Sequence, residues 1–298
     1  MNRRQVLRLL GLGTVGVAVG IPGYAWAQAH SFQINTHPFK LERLQAPVRV
    51  AHLSDLHFGR WHGAEHVRDW VNATLKQRPD LIVLTGDTVD GTTHPDQLEA
   101  LAAELERLEA ALGVYAVLGN HDYGSSGSNW RTQTLIEALE RVGVKYLVNE
   151  GVSLRPDLYL SGVDDYWFGE VNSARATRDA TDAQAILMLC HNPDVLPKLS
   201  TRIGLTLSGH THGGQIIVPG VGNISAIAAT LYRLLPKRTR NQIPALRACH
   251  RVVKNWEWSK GLYQVGTNAL YVNRGLGTYL PGRLFCPPEV TVLKLVSA

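Results

Sequence analysis

Leu205-Thr206-Leu207-Ser208-Gly209-His210-Thr211-His212 is a strand-like apolar run that breaks into a glycine-started turn carrying two histidines. Histidines at i and i+2 on such a turn can aim two ring nitrogens at neighbouring points, and histidine is the commonest protein ligand for a transition metal. One pair does not make a site; a metal needs further ligands from other parts of the chain. The same arrangement recurs four times upstream. Val48-Arg49-Val50-Ala51-His52-Leu53 delivers Ser54-Asp55-Leu56-His57, and residues 80–84 end in Thr85-Gly86-Asp87-Thr88-Val89-Asp90. Residues 114–118 end in Gly119-Asn120-His121-Asp122, and residues 185–189 run into Cys190-His191-Asn192-Pro193. Five strand-like runs thus end in side chains able to hold a metal, at the edge where open α/β sheets place their chemistry.

Between these runs lie stretches with helical spacing. Residues 63–77 carry Val67, Trp70, Val71 and Leu75 and stop at Pro79; residues 95–112 carry a leucine face ended by Gly113; residues 130–141 form a third helix. Further strands are expected near 144–148 and 158–162. This alternation establishes an α/β fold and no more.

The candidate metal ligands are Asp55, His57, Asp87, Asn120, His191, His210 and His212. A mixed nitrogen and oxygen set without thiolate suits Mn²⁺, Fe²⁺ or Zn²⁺ better than Ca²⁺. Seven ligands exceed one tetrahedral ion but match two ions sharing a carboxylate. Two ions roughly 3.5–4 Å apart clamp a phosphoryl group and lower the pKa of bound water from 15.7 toward about 7. No serine or cysteine nucleophile is then required, and none stands in a recognisable elbow.

Asp55-x-His57, Gly86-Asp87-x-x-Asp90, Gly119-Asn120-His121-Asp122, His191 and Gly209-His210-x-His212 occur in this order across roughly residues 48–212. Together they resemble the signature of the calcineurin-like metallophosphoesterase superfamily. The resemblance implies a four-layer α-β-β-α sandwich of two mixed sheets and two divalent ions, manganese first, with iron, zinc and magnesium as alternatives. By the resemblance, Asp55, His57 and His212 hold the first ion, Asn120, His191 and His210 the second, and Asp87 bridges them. His121 contacts the substrate phosphate and serves as general acid, Asp122 orients His121, and Asp90 supports the ligand set. A hydroxide bridging the ions attacks a phosphodiester or pyrophosphate bond. Read from the residues alone, Asp90 and Asp122 could equally be turn residues. Arg60 and Arg274 are candidate phosphate contacts, because arginine suits bidentate anion binding, or else ordinary surface ions. The stretch from Leu262-Tyr263 through Asn273-Arg274-Gly275-Leu276-Gly277-Thr278 resembles exported bacterial phosphodiesterases of this superfamily, including relatives that cleave UDP-2,3-diacylglucosamine. A lipid-linked or cell-envelope substrate is the corresponding expectation.

A chain of 298 residues that is 45% apolar and 18% charged can bury a substantial core and is not a disordered chain. Its formal charge of +5 is local. Residues 231–260 carry Arg233, Lys237, Arg238, Arg240, Arg247, Arg251, Lys254 and Lys260 against Glu257 alone, so that segment is +7 and the rest is −2. No nucleic-acid motif accompanies the cations, and nucleic acid is not an expected partner. Ser225 is read as the cap of a helix through Leu235, stopped by Pro236, within a basic amphipathic insertion at about 221–260. Apolar side chains, Trp256, Trp258 and unopposed cations between 225 and 258 suit contact with a membrane surface or a helical cover with a solvated basic face. Cys190, Cys249 and Cys286 match no redox or zinc spacing.

Residues 1–29 read as a twin-arginine export signal: Arg3-Arg4, an apolar stretch from Leu9 to Ile21, then Ala25-Trp26-Ala27 or Ala27-Gln28-Ala29 as the small-x-small cleavage pattern. The expected location is periplasmic or extracytoplasmic, with export of an already folded chain. Residues 30–46 read as a polar connector and 47–298 as the catalytic domain. Two other readings stay open: a lipid-surface binding protein with a structural metal site, and a dimetal hydrolase of a non-phosphorus bond.

Overall fold

The computed structural model describes residues 22–124, 129–199 and 202–298. Arg3, Arg4 and the apolar run at 9–21 lie outside the described residues. Residues 22–29 are helical (α1). The strands are β1 (Gln33–Leu41), β2 (Val48–Leu53), β3 (Leu81–Thr85), β4 (Val114–Val117), β5 (Val144–Tyr146), β6 (Glu150–Arg155) and β7 (Leu158–Gly162) in the first half. The second half adds β8 (Ala185–Leu189), β9 (Leu205–Ser208), β10 (Ile217–Val218), β11 (Gly222–Asn223), β12 (Gly261–Val265), β13 (Asn268–Val272) and β14 (Glu289–Ser297). The remaining helices are α2 (Ala64–Leu75), α3 (Leu98–Leu105), α4 (Asn129–Glu140), α5 (Ser173–Ala176), α6 (Ile224–Leu234), α7 (Lys237–Arg240) and α8 (Pro244–Val252).

Strands β3 and β8 are hidden along their whole length, as uninterrupted apolar runs in a doubly covered parallel sheet should be. One sheet has the order β1-β14-β2-β3-β4-β5 and the other β12-β13-β9-β8-β7-β6; β10 and β11 form a separate hairpin. Both large sheets are mixed. In the first, β2 through β5 run parallel and β14 runs antiparallel to β2. In the second, β7, β8, β9 and β13 run parallel between antiparallel edge strands. Val50, Val83 and Val117 of one sheet share a buried cluster with Leu160, Leu187 and Leu207 of the other. Cutting one of these leucines back to alanine costs about 2–5 kcal/mol. Helices α2, α3 and α4 cover the first sheet through Trp70, Leu101 and Leu139. A thinner layer, including Ala176 of α5, Val195 and Leu196, covers the second.

Three expectations are corrected here. Residues 33–41 are not a connector but edge strand β1, parallel to β14 from Gln33↔Glu289 to Leu41↔Ser297; Pro38 is tolerated because the strand lies at the sheet edge. The helix expected over 95–112 begins as a 3₁₀ turn at Pro95–Gln97 and ends at Leu105. The chain must return to β3, where the Leu112 N–H bonds the Asp80 carbonyl at 2.7 Å, and this outweighs helix propensity. Helix α6 is capped by Asn223, whose side-chain oxygen accepts from the N–H groups of Ser225 (2.9 Å) and Ala226 (3.3 Å), not by Ser225.

Because β2, β3 and β4 are parallel neighbours, their C-terminal ends emerge along one edge. The parallel neighbours β8 and β9 end beside them in the other sheet. That convergence places Asp55, Asp87, Asn120, His191 and His210 together.

Candidate active site

The loops that leave these strands turn unusually sharply. Asp55 (φ 52°), His57 (46°), Asp87 (50°), His210 (69°) and His212 (50°) all adopt left-handed backbone, a region that costs a non-glycine residue on the order of 1–3 kcal/mol. Hydrogen bonds between loops hold it: the Asp55 N–H bonds Gly86 O (3.0 Å), His57 N–H bonds Asp87 O (2.9 Å) and Gly277 N–H bonds Asp55 O (2.6 Å). The motif glycines make room. A Cβ on Gly86 would come within 2.7 Å of both the Gly119 nitrogen and His191 Nδ1, and one on Gly209 would collide with the Ser54 hydroxyl and the Asp55 carboxylate.

The side chains meet in three overlapping groups. Asp55, His57 and His212 bring ligand atoms within 4.8 Å of one another, as do Asp87, His191 and His210, and also His57, Asp87 and His121. Asp87 Oδ2 lies 3.1 Å from His191 Nε2 and 3.6 Å from His57 Nε2, so it stands between the two halves. Three rings have their other nitrogen against a carbonyl: His191 Nδ1 on Thr85 O (2.7 Å), His210 Nε2 on Val252 O (2.8 Å) and His212 Nδ1 on Gly277 O (3.2 Å). In a neutral ring an N–H donated there leaves the opposite nitrogen's lone pair facing the cluster, which is how metal-ligating histidines are held. Asn120 Oδ1 is buried and has no hydrogen-bond partner.

Electrostatics point the same way. Burial would push the Asp87 carboxyl up, but His191, His121 and His57 overcome it and hold Asp87 well below the ordinary carboxylate range. Asp55 is raised to about 6, by burial first, and Asp87 adds to that. Burial holds His57 and His212 well below the usual imidazole value and takes His210 down to about 3. His191 goes the other way: burial opposes its charge, yet the adjacent Asp87 raises it to about 10. The proton on His191 therefore sits where a cation beside Asp87 would. Three imidazoles kept neutral by burial, a fourth whose proton a cation beside Asp87 would displace, two buried carboxylates and an orphaned amide oxygen fit two divalent ions sharing Asp87.

His121 lies at the mouth, its backbone N–H donating to Asp87 Oδ1 at 2.8 Å. Asp122 does not reach its ring. The Asp122 carboxylate instead accepts from the N–H groups of Gly119 (2.8 Å) and Val89 (3.1 Å), bracing two ligand loops. Its carboxyl is pushed up to about 7 by burial and then by the charge of Asp87. Asp90 is a turn residue, with Oδ1 accepting from Thr92. Arg60 is exposed and lies over the Trp61 ring. Arg274 is engaged by Glu289 at 2.8 Å.

Two residues beyond the motifs matter. The Tyr279 hydroxyl lies 2.7 Å from His57 Nδ1 and 3.2 Å from His121 Nε2, linking the ligand cluster to the mouth. Arg283 is completely buried; its guanidinium donates to the carbonyls of Gly277 (2.6 Å), Arg274 (2.8 Å) and Gly275 (3.2 Å), and Nη2 lies 3.2 Å from His212 Nδ1. No spacing rule marks either one. The only hint is their place just after the glycine-rich stretch at 275–277. The site opens into a cleft of about 730 Å³, lined also by Trp167, Phe168, His250, Arg251 and Lys254.

The calcineurin-like phosphoesterase family matches residues 48–214. An uncharacterized metallophosphoesterase of Bacillus subtilis, YkuE, is 28% identical, with 100% of this chain and 98% of that protein aligned. The phosphodiesterase YaeI of Escherichia coli is 27% identical over 99% of this chain and 100% of its own. The UDP-2,3-diacylglucosamine pyrophosphatase LpxG of Chlamydia muridarum is 25% identical over 93% and 94%. With this family match over the segment that carries all seven ligand candidates, the chain belongs to the calcineurin-like phosphoesterases and is a metal-dependent hydrolase of phosphoester bonds.

Proposed function

We propose that this enzyme hydrolyses a phosphodiester or pyrophosphate bond in a lipid-linked, cell-envelope substrate, with UDP-2,3-diacylglucosamine as the first compound to test. The cleft carries the reading. Asn120, His121, His210 and His212 line it, Arg251 and Lys254 offer cations for a second anionic group, and Trp167 and Phe168 offer apolar surface. A small monoester uses neither the cations nor the apolar surface. A relative named as a phosphodiesterase and another named as a pyrophosphatase of that lipid nucleotide support the same class.

Asp55, His57 and His212 would hold one divalent ion, Asn120, His191 and His210 the other, and Asp87 both, with manganese the preferred metal. Such ions supply Lewis acidity toward the phosphoryl group and make water a nucleophile near neutral pH. His121 holds the proton that the departing oxygen takes, and Tyr279 keeps its ring turned toward the cleft. Asp122 keeps the loops bearing Asp87 and Asn120 in register.

Helix α6 would bring the cleft to a bilayer. It buries Ala229 and leaves Ile224, Ile227, Leu231 and Leu234 outward, Leu234 at 75% exposure. Arg233, Lys237, Arg238 and Arg240 follow on the same segment, each cation near an anionic surface contributing about 1 kcal/mol. Export by the twin-arginine route would place this face on the outer side of the cytoplasmic membrane.

The test is incubation of the manganese-loaded enzyme with UDP-2,3-diacylglucosamine and with a chromogenic phosphodiester, products read by mass spectrometry. Release of UMP and the diacylglucosamine phosphate is expected. Turnover of the diester alone would remove the lipid nucleotide. Turnover of neither, with metal bound, would leave a structural metal site, and inhibition by carboxylate analogues instead of vanadate would indicate a non-phosphorus bond.

A further inference from the structure

Helix α1 contains both alanine patterns that suit signal cleavage, yet it is built into the catalytic domain. Ala25 and Ala29, one turn apart, are buried at 7% and 3% exposure. The Ala25 carbonyl accepts the Arg283 N–H at 3.0 Å, and Gln28 Oε1 accepts the Cys286 N–H at 3.0 Å. The fit is close: a Cβ on Gly282 would come within 2.7 Å of the Ala25 oxygen. On the outer side the Trp26 ring lies 5.9 Å from Trp61, edge to face.

What α1 grips is the loop that finishes the site. Arg283, fully buried, is bound through its backbone to Ala25, while its guanidinium fastens the Gly275 and Gly277 carbonyls beside the ring of His212. Tyr279, four residues earlier, touches His57 and His121. A cut after Ala27 would remove the acceptor of a buried N–H, and a cut after Ala29 would remove the Gln28 acceptor as well. Buried donors are rarely left unpaired, because the loss is not returned by water. Peptidases also work on exposed, locally unfolded chain, and a chain exported already folded would present this segment as a docked helix.

We propose that residues 22–29 stay in the working enzyme as a brace for the loop at 275–286, so that the chain is not severed at Ala27 or Ala29. The primary test is the intact mass of the full-length chain after expression in an export-competent host. The expected mass includes residues 22–29; a chain beginning at Gln28 or His30 would overturn the proposal. The second test compares chains starting at Pro22 and at His30, by thermal unfolding and by manganese titration followed calorimetrically. The shorter chain should lose roughly 4 °C or more in Tm and bind manganese about tenfold more weakly. Its failure to fold where the longer chain folds would equally support the brace. Equal Tm and equal manganese affinity would refute it, whatever substrate the enzyme proves to use.

Discussion

At Gly209 one added methyl group would fall on the Ser54 hydroxyl and the Asp55 carboxylate. Gly209→Ala should therefore disturb two ligand loops at once without touching the core. Metal affinity is expected to drop about 10- to 100-fold, read by elemental analysis after dialysis, while the far-ultraviolet dichroism stays native; full metal occupancy would show that the crowding is absorbed elsewhere. His121→Ala separates chemistry from binding. It should lower kcat by about 10²–10⁴ and keep both ions, since the His121 ring is the group placed at the cleft while its backbone makes the bond to Asp87. Loss of metal in that variant would mean His121 is a ligand. The seven ligand candidates could be read from sequence because each sits at a strand end, most of them beside a glycine that the close approach requires. Asp122, Asp90 and Arg274 could not be assigned so, because sequence gives a residue's chemistry and not its partner: Asp122 spends its oxygens on Gly119 and Val89, Asp90 on Thr92, Arg274 on Glu289.

Among the elements, continuous apolar runs were the most legible, since β3 and β8 are hidden on both faces and cannot be anything amphipathic. Strand β1 was opaque for the opposite reason. Its half-hidden positions include Asn35 and His37, which face Glu289 and Tyr271, so no apolar alternation marks it. Helix α6 was legible in place but not in orientation. Its apolar positions fit either a packed cover or an outward, membrane-facing stripe, and in the fold the small Ala229 is buried while Leu231 and Leu234 point outward. That outward face makes a direct test of membrane contact. Leu231→Glu with Leu234→Glu should abolish flotation with vesicles containing anionic lipid, while Tm stays within about 2 °C because neither side chain is packed. Unchanged flotation would remove α6 from the contact, and no flotation of the parent protein would remove the contact itself.

For the molecule as a whole, pH acts through histidines that the two sheets bury outside the ligand set. His52 is fully hidden at the end of β2, its Nε2 2.8 Å from the Thr85 hydroxyl and its ring beside Tyr271. Burial lowers it from 6.5 to about 3. The native chain therefore stays unprotonated at His52 where the unfolded chain binds a proton, so stability falls as pH drops below 6.5 and levels off only near 3. At pH 5 the loss from this one group is about 2 kcal/mol. Asp122, raised to about 7, opposes it: the native chain keeps a proton there that the unfolded chain releases above 3.8. The two effects are separable by substitution, since only one belongs to His52. Between pH 7 and pH 5, with metal removed, the Tm of the parent should fall by roughly 4 °C or more relative to that of His52→Gln. Parallel curves for the two proteins would mean that His52 is already charged when buried, and that the interface between the sheets is wetter at this point than the packing of Thr85, Tyr271 and Asn273 around it allows.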